Sequence, residues 1–127
     1  MIRTETLRLT TAGGAGVATG SATTPSAVRG EILGVLLNYT SQPATTDVTL
    51  ATAGEGGGPA YNILVLTNLN ADGYFAPRKG AVDAAGAAIA ASFVPFVVAD
   101  KLTVSLAQGD AITNGLVATI FYDDKAE

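Results

Sequence analysis

From Leu102 to Leu106 every second residue is apolar, with Thr103 and Ser105 between. The same alternation runs through Leu7 and Leu9, set among Thr6, Arg8 and Thr10, and through Val48 and Leu50, set among Asp47, Thr49 and Ala51. A period of two is the side-chain period of an extended chain, and it cannot build an amphipathic helix, whose period is 3.6. Each segment therefore reads as a strand with one face on a core and one toward solvent. Thr and Val dominate these runs, and β-branched side chains suit a pleated surface.

Three further runs are apolar on both faces: Ile32 to Leu37, Ile63 to Leu66 and Leu116 to Phe121. Their shortness and their β-branched or aromatic content favour central strands over buried helices. Turn signals divide the chain at Gly13-Gly14, Thr24-Pro25-Ser26, Ser41-Gln42-Pro43, Gly54 to Pro59, Asn70 to Gly73 and Gly109-Asp110. Asp72-Gly73 has the composition of a turn with positive φ. The expectation is an all-β fold, an antiparallel β-sandwich or jelly-roll-like barrel of about eight strands. Its predicted core holds Leu36, Val48, Leu50, Ile63, Val65, Leu102, Val104, Leu106 and Ile120.

The segment from Ala81 to Ser92 is alanine-rich and could be read as a short helix. Gly86 lies in its middle, and Gly costs about 1 kcal/mol against Ala in a helix. A hairpin or irregular excursion around Asp83-Ala84-Ala85-Gly86 is the preferred reading. The glycine-rich stretch from Gly54 to Pro59 reads as a mobile loop. A length of 127 residues fits a single all-β domain over residues 1–127. Residues 1–11 read equally as an ordinary first strand or as an N-terminal docking arm.

Composition excludes most chemistry. There is no His and no Cys, so Ser-His-Asp and Cys-His nucleophilic sites and the usual zinc, copper and non-haem iron sites are ruled out. Asp47, Asp72, Asp83, Asp100, Asp110, Asp123 and Asp124 remain as carboxylates for glycoside hydrolysis, which needs only two. Most sit at strand ends or turns, where Asp bonds local backbone. Asp123-Asp124 could contribute to a calcium site, but reads better as a solvated pair. Gly54 to Gly58 lacks the Gly-Lys-Ser/Thr of a phosphate loop, and Gly13 to Gly16 lacks the context of a dinucleotide site. The expectation is no enzyme activity, no cofactor and no metal. Seven scattered basic residues and a net charge of −4 argue against direct nucleic-acid binding. No run reaches the ~20 apolar residues of a membrane helix, and Met1 to Thr6 has no apolar leader region, so synthesis and folding in a cytoplasm are expected.

Binding is the function class left. Only 14% of residues are charged, against the usual ~25%. A surface of Thr, Ser, Asn, Gly and Ala suits packing against neighbours. Tyr74, Phe75 and Arg78 follow the Asp-Gly turn, and Tyr and Arg are common interface anchors. Phe93 and Phe96 flank Pro95, which cannot donate to a ladder and marks an edge or bend. An edge this apolar needs cover from this chain or a second subunit. Tyr74, Phe75, Arg78, Phe93 and Phe96 are therefore the candidate protein-interface residues.

The stretch Leu64 to Arg78, with its Thr-Asn-x-Asn-x-x-Gly-aromatic-aromatic-x-Pro-Arg pattern, resembles a segment of small virion proteins of tailed phages. Ala99 to Asp110 and Leu116 to Tyr122 resemble their last two strands. The resemblance covers the C-terminal half. It implies a capsid decoration, or cement, protein on the outside of the virion, bound to the major capsid protein and to itself as a homotrimer. The Ala, Gly and Thr richness departs from many members. Alternatives are a tail, neck or head-fibre component, or a small carbohydrate-binding β-sandwich module. The absence of Trp counts against the last.

Overall fold

The structure, a computed structural model, describes residues 1–55 and 59–125. The glycines at 56–58, within the expected mobile loop, lie outside the described residues. Eleven strands are described: β1 (Ile2–Leu9), β2 (Ala18–Thr23), β3 (Val28–Tyr39), β4 (Asp47–Thr52), β5 (Asn62–Leu66), β6 (Gly73–Phe75), β7 (Arg78–Val82), β8 (Ala88–Pro95), β9 (Val97–Asp100), β10 (Leu102–Gly109) and β11 (Leu116–Asp123). The fold is all-β and every pairing is antiparallel.

Two sheets form the body. A five-stranded sheet has the order β1-β11-β3-β6, with β9 also on β3, and a four-stranded sheet has the order β2-β10-β4-β5. Their inner faces share one apolar core. Leu9, Ile32, Val35, Leu37, Leu116 and Ile120 come from the first sheet, and Val48, Leu50, Leu102, Val104 and Leu106 from the second. The alternation in β10 survives as a strict inside–outside pattern, with Leu102, Val104 and Leu106 buried.

Some expectations are corrected. Leu36 is 43% exposed and Val65 55% exposed, so neither belongs to the core. In β3 it is Val35 and Leu37 that point inward, and a shift of one residue reverses the face. The run Ile63 to Leu66 is not central: among the described residues β5 is the outer strand of its sheet and pairs only with β4. Leu64 and Leu66 are half-buried there, against the core. Neither Asp72 nor Gly73 has positive φ; in that connection Asn68 does. Asp72 instead accepts a hydrogen bond from the backbone N–H of Tyr39 at 2.7 Å.

Asp123 and Asp124 are not a solvated pair. The amino group of Met1 lies 3.0 Å from Asp123 and 3.2 Å from Asp124, and Arg3 also pairs with Asp124. These contacts close the end of the β1–β11 ladder, which runs in register from Ile2↔Asp123 to Leu9↔Leu116. Residues 1–11 thus contain a fully paired first strand.

The feature that positions the candidate site is a broken strand. Gly73 to Phe75 pair with Leu37 to Val35, and Val97 to Asp100 pair with Glu31 to Val28. β6 and β9 therefore run in the same direction along the same edge of β3, as two halves of one strand. Everything between Phe75 and Val97 is inserted at the break. Phe96 anchors the return, its carbonyl accepting a hydrogen bond from the backbone N–H of Ile32 at 2.9 Å.

Candidate functional site: a projecting hairpin, its root and a flat aromatic patch

The insertion is a hairpin, β7–β8, forming a two-stranded sheet separate from both sheets of the body. Arg78 pairs with Pro95, Lys79 with Val94 and Gly80 with Phe93; a bulge then brings Val82 opposite Ala88. The alanine-rich segment is therefore a hairpin and not a helix. Its turn is built by Asp83, whose Oδ1 accepts the backbone N–H groups of Ala85 and Ala87 at 2.9 and 3.0 Å. Gly86 supplies the left-handed residue, with φ +85°. The bulge residue Ala91 is also left-handed, with φ +55°.

The arm is exposed along both strands. In β8 only Ser92 and Pro95 are partly covered, and in β7 only Ala81. Phe93 is 67% exposed and stands opposite a glycine, so no cross-strand side chain shields it. Val82, Ile89 and Val94 add exposed apolar surface. Burying groups like these is favourable by roughly 25 cal/mol per Å2 of apolar surface. A two-stranded hairpin in water is marginal without something to pack on.

At the root lies a groove of about 500 Å3 lined by Tyr61, Asn62, Lys79, Val94, Pro95, Phe96 and Val97. Tyr61 and Phe96 stack there, with ring centroids 6.4 Å apart and planes 15° from parallel. The Tyr61 hydroxyl donates to the carbonyl of Val97 at 3.2 Å, tying the residue before β5 to the start of β9. Desolvation raises the pKa of this phenol, and the charge of Asp100 adds to the shift.

A second apolar surface lies on the outer face of the five-stranded sheet. Tyr74, 57% exposed, pairs with Leu36, and its ring meets Phe121 edge-on at 6.0 Å and 61°. Gly34 lies beneath the tyrosine ring, where any Cβ would collide with it. Thr4 pairs with Phe121 and Thr6 with Thr119, and the exposed Arg8, paired with Val117, follows on the same face.

The five residues expected at an interface fall in three places. Tyr74 is on the flat patch. Arg78 and Phe93 are exposed on the arm. Phe96 is in the groove, and Phe75 is half-buried against the core. Tyr61, Leu36 and Phe121 were missed. Tyr61 follows the glycine-rich loop with no pattern around it, and the other two belong to runs apolar on both faces. Among the described residues no three acidic groups are placed to hold a metal ion. Asp47, Asp100 and Asp110 accept backbone N–H groups from Asn68, Gly54 and Gly16, each at 2.9 Å.

Neither a protein-family model nor a curated protein matches this sequence. Among solved structures the chain is similar to variants of CBM29-2, a family 29 carbohydrate-binding module studied for ligand recognition. One aligns with a TM-score of 0.44 and 11% identity over 97% of this chain and 81% of that chain. Two others give 0.43 at 11% identity and 0.42 at 12%, covering 95% and 97% of this chain and 80% and 81% of theirs. At this level the likeness carries no function from those modules to this chain.

Proposed function

We propose that this chain is a non-catalytic structural protein that grips another protein surface with the β7–β8 arm, and that its setting is a phage head, as a decoration protein on the major capsid lattice. One observation carries the reading: the arm is inserted into a strand that the body already completes, and it contributes no side chain to the core beyond its root. Folding of the body gives no reason for it, whereas binding does, because exposed apolar patches of this kind mark contact surfaces. Docking only to the assembled lattice would stabilise the assembled state by mass action.

The test uses expanded heads that lack this protein, from the phage whose genome carries the gene. The full chain is expected to co-sediment with them saturably. A variant in which residues 78–95 are replaced by a two-residue turn is expected to stay in the supernatant. Retention of the armless variant would remove the arm from the reading, and failure of the full chain to bind would remove the head.

A carbohydrate-binding module is the second reading, and the root groove favours it. The stacked Tyr61–Phe96 pair beside Lys79 and Asn62 combines apolar faces with a few polar groups, the make-up of small-ligand sites. On this reading Tyr61→Ala abolishes binding to soluble polysaccharides in affinity electrophoresis and Phe93→Asp leaves it unchanged. No retardation on any polysaccharide would dismiss it.

A further inference from the structure

We propose that Asn114 is a site of spontaneous covalent modification: its side-chain amide closes on the backbone nitrogen of Gly115 and is lost as ammonia, so that an ageing chain carries aspartate and isoaspartate at the β10–β11 turn. The inference stands apart from the arm and from the proposed function.

The fold itself places these two residues side by side. Asn114 is exposed, lies in the turn between β10 and β11, and has φ +50°. Asparagine is one of the few residues besides glycine that enter this left-handed region readily. Gly115 is required for another reason. A Cβ there would lie 2.4 Å from Nε2 of the buried Gln42 and 3.2 Å from the carbonyl oxygen of Ile112. One position thus selects Asn for its backbone, and the next admits only Gly. No side chain on the second residue then hinders approach to its nitrogen.

Hydrogen bonding leaves both reacting groups open. The backbone N–H of Asn114 donates to Thr10 Oγ1 at 3.2 Å. The carbonyl of Gly115 accepts from the N–H of Thr40 at 3.0 Å and from Gln42 Nε2 at 3.5 Å. Among the described residues the Asn114 amide and the Gly115 N–H have no hydrogen-bond partner. The other four asparagines are placed differently. Asn38, Asn62, Asn68 and Asn70 precede Tyr39, Ile63, Leu69 and Ala71, whose Cβ atoms crowd the nitrogen. Asn38 and Asn62 also lie within β3 and β5, and the Asn70 amide donates to the carbonyl of Gln42 at 2.7 Å.

The reaction needs only water. The nitrogen of Gly115 bonds to Cγ of Asn114, the Cγ–Nδ2 bond breaks, and Nδ2 departs as ammonia with the proton from the Gly115 nitrogen. Nothing is oxidised or reduced. Water then opens the cyclic imide. Breaking the new bond gives aspartate. Breaking the original peptide bond gives isoaspartate, whose main chain runs through Cγ and is one methylene longer. Either form adds a negative charge to a chain of −4. The added methylene falls between two tied points, the Asn114 N–H on Thr10 and the Gly115 carbonyl on Thr40 and Gln42, so the isoaspartate form gives up one of them.

The full chain and a free peptide spanning residues 109–117 are incubated side by side at mildly alkaline pH. Digests are then resolved by chromatography and mass spectrometry against synthetic aspartate and isoaspartate standards. Residue 114 is expected to convert before any other asparagine, at a rate within about tenfold of the peptide's, because a fold that leaves both groups open adds little to the barrier. The rate should rise about tenfold per pH unit, since the ionised amide is the nucleophile and its share grows by that factor. Asn114→Gly suits the same positive φ and cannot react; it should gain no charge and melt within about 2 °C of the unmodified chain. The purified isoaspartate form should melt about 3 °C or more below the aspartate form, the shift for losing one hydrogen bond in a chain of this length. An intact Asn114 when the peptide has fully converted, another asparagine reacting first, or the same new charge form arising as fast in Asn114→Gly overturns the inference. Equal melting of the two product forms overturns its consequence for the turn.

Discussion

The ring of Tyr74 lies across the backbone of Gly34, on the outer face of the sheet, and occupies the space any larger residue would need. The tyrosine comes from β6, the short half-strand before the arm, and the glycine from the middle of β3. Their contact, with Phe121 packed edge-on against the same ring, ties the edge where the arm departs to the centre of the sheet.

Gly34→Ala should therefore lift the Tyr74 ring and cost about 1–3 kcal/mol, as overpacking does elsewhere. Tyr74→Ala alone should cost less, and the double variant should be more stable than the sum of the two predicts, since they act on one contact. Urea unfolding of the three variants measures the coupling. Additive losses would mean that the ring moves aside freely.

Leu106→Ala and Leu36→Ala should separate the two faces. Leu106 is buried in the four-stranded sheet, and its truncation should cost about 2–5 kcal/mol. Leu36 is on the outer face, and its truncation should cost below about 1 kcal/mol in the monomer. Equal losses in chemical denaturation would contradict the inward assignment of Val35 and Leu37.

Gln42 has a structural role that its place in a Ser-Gln-Pro turn signal conceals. It is buried; its Oε1 accepts the backbone N–H of Asp110 at 2.8 Å, and its Nε2 donates to the carbonyls of Asp110 and Gly115 at 3.4 and 3.5 Å. Gln42→Leu should cost about 1–3 kcal/mol by leaving backbone groups unsatisfied. Faster amide exchange at Asp110 would locate the damage, and unchanged exchange there would contradict the bridging role.

Stability should fall at both extremes of pH. At the alkaline end the cause is Tyr39, whose phenol is pushed up to about 12 from 10.0 by burial, with the charge of Asp72 adding to it. The unfolded chain ionises first, so this contribution is whole below pH 10 and is lost as pH rises toward 12. The Tyr39 hydroxyl is buried with no hydrogen-bond partner among the described residues. Tyr39→Phe should therefore be neutral or slightly stabilising at pH 7, and should flatten the alkaline limb. At the acid end, Asp123 is held below its ordinary 3.8, first by the backbone N–H of Lys125 and then by the Met1 amino group. That contribution is present above pH 3.8 and is lost as pH falls through the lower folded value; Asp123→Asn should remove it. Urea midpoints between pH 2 and 12 follow both limbs.

Local pattern decided which segments are strands, and for strands with one wet face it also decided the inward side. Leu102, Val104 and Leu106 alternate with polar residues, and no other register buries them together. The chemistry the chain lacks was equally legible, since no fold can supply an imidazole or a thiolate to a sequence without His or Cys. Where a run is apolar on both sides, as in Ile32 to Leu37 and Ile63 to Leu66, the period of two carries no sign. Only the pairing of β3 with β11 and of β5 with β4 settled that Leu36 and Val65 face out. Two further features came from tertiary structure alone. That β6 and β9 are halves of one strand depends on which residues of β3 they meet, across more than twenty residues of intervening chain. That Phe93 is bare while Phe75 packs against the core depends on the insertion projecting from the edge, a matter of long-range pairing that no local window of sequence encodes.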